Sequence, residues 1–268
     1  MKKVAVFLVI AGLTTMFASG QKKETRQVSG FTGIDASSVF NITVTKGAAE
    51  SLAIEADDAI MQYVRSEVKN GVLRLYIEKD AEKKVGNIKT LKATVVMKEL
   101  DKVSLSGACK LTADDLFTSD SFKGDCSGAS ALSVNVNTGR LKIDASGASN
   151  IRINANVNGN ADIDLSGASK LQAEMKANSV KFDSSGVSTI DLSGSATDVK
   201  IDMSGTSKFQ AVDFKVKNAN IKSSGTGNVT ISVTDELNVS SSGASSINYK
   251  GSPVIKFNTS GTSKIRSI

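Results

Sequence analysis

The sequence contains no histidine and no tryptophan, a single proline and two cysteines. The lack of histidine removes the commonest general base, the triads built on it and the usual zinc sites. Aromatic residues make up only 5% of the chain and the net charge is only +6, so the basic face with aromatic platforms that nucleic-acid binding requires is not expected. The scarcity of proline suits a backbone in which nearly every N–H donates to a β ladder.

Long apolar runs are also missing after the first residues of the chain. Met1-Lys2-Lys3, the apolar stretch Val4–Phe17 and the small residues Ala18-Ser19-Gly20 predict a secretory signal peptide over residues 1–20. The apolar stretch is too short for a membrane-spanning helix. We therefore expect an exported protein that resides in the periplasm, on the outer membrane surface or outside the cell.

Nine Ser-Gly pairs recur through the last two-thirds of the chain. Their glycines are Gly107, Gly128, Gly147, Gly167, Gly186, Gly205, Gly225, Gly243 and Gly261. The mean interval of about 19 residues is typical of a solenoid, in which each unit buries its faces only against its neighbours. We name each Ser-Gly pair with the two residues that follow it a corner.

Apolar residues alternate on both sides of each corner. Around Gly147, for example, Leu141 and Ile143 precede the corner, and Ile151 and Ile153 follow it. This two-residue period predicts a strand, a sharp corner and a second strand in every unit. Tandem hairpins would need two-residue turns, but the connecting segments here are several residues long. The pattern thus predicts an all-β fold, a parallel β-helix of about nine coils.

Residues 28–100 lack the corner motif but still read as strands. Ser66–Lys69 and Val72–Ile77 flank Asn70-Gly71, a strong hairpin signal, and a single helical turn fits within Asp58–Val64. We interpret 21–27 as a linker, 28–100 as a β-rich capping subdomain over the first coil and 101–268 as the repeats. No comparable cap is expected after Gly261, so a homo-oligomer through the C-terminal coil is one hypothesis.

Two outward columns attract attention as candidate sites. The residue three before the corner glycine is aspartate in five successive coils: Asp125, Asp144, Asp164, Asp183 and Asp202. These carboxylates could bind a calcium ion, which prefers oxygen ligands. The alternative is a solvated lattice with the lysines two residues earlier, namely Lys102, Lys123, Lys142, Lys181, Lys200 and Lys256. No other cofactor is implied.

Polar residues that follow the corners predict a binding face for a glycan or a protein. The candidates are Lys110, Asn150, Lys170, Lys208 and Lys264. Many weak contacts along such a face would replace one deep pocket.

Catalysis has little support in the sequence. Paired carboxylates such as Asp162 with Asp164, or Asp183 with Asp191, could cut a polysaccharide. A catalytic patch normally interrupts a repeat, whereas these coils look regular, so a non-enzymatic protein is expected.

The two cysteines lie in adjacent coils on opposite sides of the corner glycine: Cys109 is the last residue of its corner, and Cys126 lies two residues before the next corner glycine, Gly128. Export would permit a disulfide, but two small packing residues are equally consistent with the pattern.

Several segments together resemble a known family. Phe31-Thr32-Gly33-Ile34-Asp35, Asn41–Val44, Asn70–Leu73 and Val103–Ala108 occur in the order that is typical of the putative auto-transporter adhesin, head GIN domain, family. The resemblance covers about Val28 to Ile268. It implies an exported β-solenoid, typical of Bacteroidetes envelopes, with a surface or periplasmic binding role. Our leading hypothesis is a non-enzymatic envelope protein whose repeated outer faces bind a glycan, a matrix protein or another envelope component. A self-assembling structural protein is the alternative, and no catalytic residues come with the resemblance.

Overall fold

The computed structural model describes residues 15–16, 20–81 and 88–268. The predicted signal peptide therefore lies outside the described residues, except for positions 15, 16 and 20. The first nine strands are β1 Thr15–Met16, β2 Gln21–Arg26, β3 Gly33–Ala36, β4 Asn41–Lys46, β5 Ser51–Asp57, β6 Val64–Lys69, β7 Val72–Ile77, β8 Leu91–Met97 and β9 Lys102–Leu105, with helix α1 Asp58–Met61 between β5 and β6. The repeats contribute β10 Lys110–Cys126, β11 Ala131–Ala145, β12 Asn150–Val157, β13 Asn160–Leu165, β14 Lys170–Ser184, β15 Thr189–Gly205, β16 Lys208–Gly225, β17 Asn228–Gly243, β18 Ser246–Lys250, β19 Val254–Gly261 and β20 Lys264–Ser267.

The repeats stack as a parallel solenoid of about nine turns, which confirms the predicted fold. Strand β11 pairs in parallel with β10 on one side and with β12 and β13 on the other, and the same relation carries on to β20. Equivalent residues of successive coils face one another: Ile143 pairs with Ile163, and Ile163 with Phe182. The sequence repeat is thus the structural repeat.

Each corner requires glycine for two reasons, as Gly147 illustrates. Its φ is +73°, in the region that L side chains rarely adopt. A Cβ at this position would lie 2.4 Å from the carbonyl oxygen of Gly128 in the preceding coil. That carbonyl accepts a 2.7 Å hydrogen bond from the N–H of Ala148, so the corners are stacked backbone on backbone.

The last serine of a corner points into the solenoid and is buried. In the early coils this serine bonds its own corner: the Ser149 hydroxyl donates to the Ser146 carbonyl at 2.8 Å. In later coils hydroxyls bond between coils, as Ser223 does with Ser245 at 2.7 Å. Both arrangements satisfy polar groups that would otherwise be costly to bury. Ser188 differs, since its buried hydroxyl has no hydrogen-bond partner among the described residues.

The core is a continuous apolar column along the axis. Ile143, Ile163 and Phe182 are at most 1% exposed, and Phe182 meets Phe209 edge to face at 5.1 Å between ring centroids. Each such side chain contributes roughly 1.5–3 kcal/mol by leaving water. Burial between coils therefore provides the cohesion that no single coil has.

The N-terminal segment combines parallel and antiparallel pairing. Strands β3 and β4 pair in parallel with β9 and β10, so the stack continues beneath the first Ser-Gly corner. Ser38, with φ 82°, takes the place of the corner glycine and accepts a 2.7 Å bond from the N–H of Ala108. Strand β5 lies antiparallel between β2 and β8.

The predicted hairpin is confirmed as β6 and β7, and the predicted helical turn as α1. The division at residue 100 stays a prediction.

Candidate functional site

The five predicted aspartates lie in one unbroken column on the strands before the corners. Each pairs with the next across adjacent coils, in the order Asp125, Asp144, Asp164, Asp183, Asp202. With the first serines of the corners they line an open groove of about 640 Å³, to which Asp35 of β3 also contributes. We name it the aspartate groove.

Lysines two residues before the aspartates, on the same strands, compensate part of the negative charge of the aspartate groove. Lys123 Nζ lies 3.1 Å from Asp125 and 3.7 Å from Asp144, and Lys181 pairs with Asp183. The coil that contains Asp164 carries Asp162 where its neighbours carry lysine. The pKa of Asp164 is raised, first by desolvation and then by the charges of Asp183 and Asp144.

The ion pairs of the aspartate groove are those that a solvated charge lattice requires. Within residues 20–81 and 88–268, no group of three or more His, Cys, Asp or Glu side chains is arranged to hold a metal ion. Exposed ion pairs of this kind each contribute little to stability. Calcium binding along the column stays a prediction.

The predicted binding face also forms a single column, on the strands after the corners. Lys110, Asn150, Lys170, Lys208 and Lys264 are all exposed. Ala131, Thr189, Asn228 and Ser246 occupy the intervening coils, in continuous register. We name this the lysine column.

A second groove of about 800 Å³ lies beside the lysine column. It is lined by residues of β10, β11, β12, β14, β15, β16 and β17, most of them outward side chains. The two features touch at Gln210: with its amide nitrogen toward Asp191, Gln210 donates to Oδ1 at 3.1 Å and accepts from Lys208 Nζ at 3.1 Å. We name this second cavity the amide groove.

The coils are less regular here than the sequence suggested. The register of β10 against β11 shifts between Ala113 and Leu116, and that of β16 against β17 shifts between Ala211 and Lys215. The register of β15 against β16 also shifts, between Asp191 and Ser193, and that of β16 against β17 shifts again between Val216 and Asn218. The first two bulges leave Leu116 56% exposed and Val212 40% exposed. The expectation of uninterrupted repeats was wrong at these places. A sequence signal existed for the first, since the interval from Gly107 to Gly128 is 21 residues, the longest in the series.

The structure separates one of the two carboxylate pairs considered for catalysis and keeps the other on one face. Asp183 lines the aspartate groove and Asp191 the amide groove, so the corner separates them and they form no pair. Asp162 and Asp164 share one face two residues apart. The strands on either side place Lys142 and Lys181 against Asp162.

Both cysteines are free thiols inside the solenoid. Cys109 is 1% exposed and Cys126 is 3% exposed. Burial raises the pKa of Cys109 to about 11 and that of Cys126 to about 12. The structure therefore favours small packing residues over a disulfide, and neither thiol is activated for chemistry.

Solved structures share this fold. A putative adhesin from Parabacteroides merdae matches with a TM-score of 0.72 and 20% identity, over 94% of this chain and 97% of that one. A putative adhesin from Parabacteroides distasonis matches with a TM-score of 0.72 and 19% identity, over 92% and 97%. A protein from the same species described as a putative lipid binding protein has a TM-score of 0.60 and 18% identity, over 94% and 98%. At these identities the likeness concerns the fold.

A search of curated proteins found no match to this chain, but the model of a protein family does match it. No helix in the described part of the chain has the length and hydropathy needed to cross a bilayer. The descriptions of the family and of these neighbours name adhesins and a lipid-binding protein, and none names an enzyme. The model of one family matches residues 30–174 and again 155–253. The chain therefore belongs to the family described as putative auto-transporter adhesin, head GIN domain, which indicates an exported or surface protein with an adhesin-like role.

Proposed function

We propose that this protein is a non-enzymatic envelope adhesin that binds a glycan, a matrix protein or another envelope component through the face after the corners. The observation that carries the proposal is the lysine column beside the amide groove. Repeated polar side chains at the strand spacing offer many equivalent contacts to an extended partner.

The lysine column supplies positive charge to the face after the corners. Lys170 and Lys208 lie two coils apart, with Thr189 between them, which corresponds to roughly 10 Å. Exposed charges at that spacing act together on a long partner, but salt screens them strongly. Binding through this column should therefore weaken as ionic strength rises.

A binding screen tests the proposal. The purified protein would be applied to arrayed glycans and matrix proteins, with and without Ca²⁺. We expect saturable binding to at least one class, with several-fold loss in the double variant Lys170→Ala, Lys208→Ala, since avidity multiplies individually weak contacts. Lys200→Ala, on the strand before the corner, is the matched control. A protein that binds nothing on the array, or that loses binding equally in the control, would contradict the proposal. Calcium dependence would point instead to the aspartate groove.

A second candidate is self-association through the C-terminal coil. In β19 the side chains of Ile255 and Phe257 are 40% and 38% exposed, whereas their partners Leu237 and Val239 in the preceding coil are buried. Val254, on the outward face, is 67% exposed. Apolar side chains beside an exposed strand favour edge-to-edge pairing. A mass in solution that rises with protein concentration would support this structural role.

A further inference from the structure

Two bulges, one on β10 and one on β16, lie near the ends of the amide groove along the solenoid axis, and among the described residues Thr230 of β17 lines the groove beyond the second bulge. Asp114 lies in the first bulge, on β10, and Val212 and Asp213 lie in the second, on β16, and all three residues line the cavity. Five steps of strand pairing separate β10 from β16, which corresponds to about 24 Å at the usual spacing. Bulges commonly redirect side chains beside functional sites. The repeat is thus interrupted near both ends of one elongated cavity.

The groove wall is suited to hydroxyl groups. Four of the lining residues carry amides: Asn135, Asn154, Gln172 and Gln210. An amide both donates and accepts, as does each hydroxyl of a sugar. Asn135, Gln172 and Asp191 are half-buried, so a ligand in the groove would meet fixed polar groups rather than freely solvated ones.

The charge of the groove limits the ligand further. Asp114, Glu174, Asp191 and Asp213 line it, and Arg152 is the one cation in the described lining. Arg152 Nη2 already donates to Gln172 Oε1 at 3.1 Å. Uronate or sulfate groups would meet net repulsion from these carboxylates. None of the described lining residues is aromatic, and protein interfaces usually depend on aromatic anchors.

We infer that the amide groove binds a neutral, linear polysaccharide that lies parallel to the solenoid axis, with successive sugars on successive coils. This inference rests on the proposed function and specifies its ligand class. Because each contact is polar and no ring stacks on a sugar, affinity must accumulate over several units. Longer oligosaccharides should therefore bind more tightly than shorter ones.

The experiment is calorimetric titration of the full protein with neutral gluco-, manno- and galacto-oligosaccharides of graded length, with polygalacturonate and oligolysine as charged probes. We expect a neutral series whose affinity rises with length, and weak binding of polygalacturonate. Gln172→Ala should reduce affinity by about three- to tenfold, the effect of one lost hydrogen bond. Asn160→Ala, on the strand before the corner, is the control and should bind normally. The pair Glu174→Gln, Asp191→Asn should improve polygalacturonate binding.

The outcomes separate this inference from the proposed function. Binding of a matrix protein or an acidic glycan that depends on Lys170 and Lys208, together with no binding of any neutral series, would overturn the ligand class and leave the adhesin proposal standing. Oligolysine binding that is lost in Gln172→Ala would show that the groove takes basic peptides instead. Equal losses in Gln172→Ala and Asn160→Ala would overturn the location.

Discussion

A methyl group added to a corner glycine tests the backbone stacking of the solenoid. Gly147 and Gly71 have nearly the same φ, +73° and +74°, but their surroundings differ. A Cβ at Gly147 would meet the Gly128 carbonyl oxygen at 2.4 Å, whereas a Cβ at Gly71 meets nothing within 4 Å. Comparison of Gly147→Ala with Gly71→Ala therefore cancels the conformational cost and isolates the close approach between coils.

The magnitude follows from these contacts. Left-handed backbone costs an alanine about 1–2 kcal/mol, and this cost applies to both variants. At Gly147 the methyl also has to displace a backbone carbonyl, and such overpacking costs about 1–3 kcal/mol. Displacement strains the 2.7 Å bond from the Ala148 N–H to that carbonyl, which is worth about 1 kcal/mol. We expect Gly147→Ala to lower the free energy of unfolding by about 2–4 kcal/mol more than Gly71→Ala does.

The assay is urea unfolding followed by circular dichroism, with midpoints and slopes compared between the two variants and the parent protein. A repeat array need not unfold in one step, so the midpoint of the main transition is the primary quantity. Equal midpoints for Gly147→Ala and Gly71→Ala would refute the reasoning, because they would mean that the coils separate or adjust at no cost at the corner.

Three further predictions concern charge, thiols and assembly. Asp164→Asn should raise the free energy of unfolding at pH 7. Burial and neighbouring carboxylates raise the pKa of Asp164 in the native state above the ordinary 3.8. The native state therefore binds the proton more tightly than the unfolded state does, so stability falls as the pH rises through that window. Cys109 and Cys126 should react with a thiol reagent at pH 8 only after denaturation, since both are buried and protonated there. Phe257→Asp should reduce any concentration-dependent increase in mass measured by light scattering, because it places charge on the exposed C-terminal coil.

Each of these has a control and a contradicting result. Asp202→Asn, beside Lys222 at the end of the column, should gain less stability than Asp164→Asn, and an equal gain would contradict the local argument. Two thiols that stay unreactive in denaturant without reductant would reveal a disulfide. Val187→Asp, at a 63% exposed corner position, should leave the mass unchanged.

Much of the fold could be predicted because every coil of a solenoid repeats the same local sequence pattern. The Ser-Gly spacing marks the corner once per coil. The two-residue alternation around residues such as Ile143 and Ile163 marks the inward face. Register followed from the same repetition, so the aspartates that were predicted as one outward column form a column in the structure. The residues of the predicted binding face also share one register position, while their binding role stays a prediction. Asn70-Gly71 specified its hairpin locally, through two positive φ angles.

Tertiary structure alone decided what the repeat does not state. The amide groove depends on bulges at Asp114 and Val212. The 21-residue interval between Gly107 and Gly128 shows that one coil is longer, but a bulge is a mismatch between two paired strands, so pairing decides where the extra residues lie. Ser38 occupies a corner position without the glycine motif because the stack above it imposes that geometry. Local sequence thus determined the coil and its inward face, while contacts between coils decided where the outer surface opens into grooves, because those openings exist only once neighbouring strands are paired.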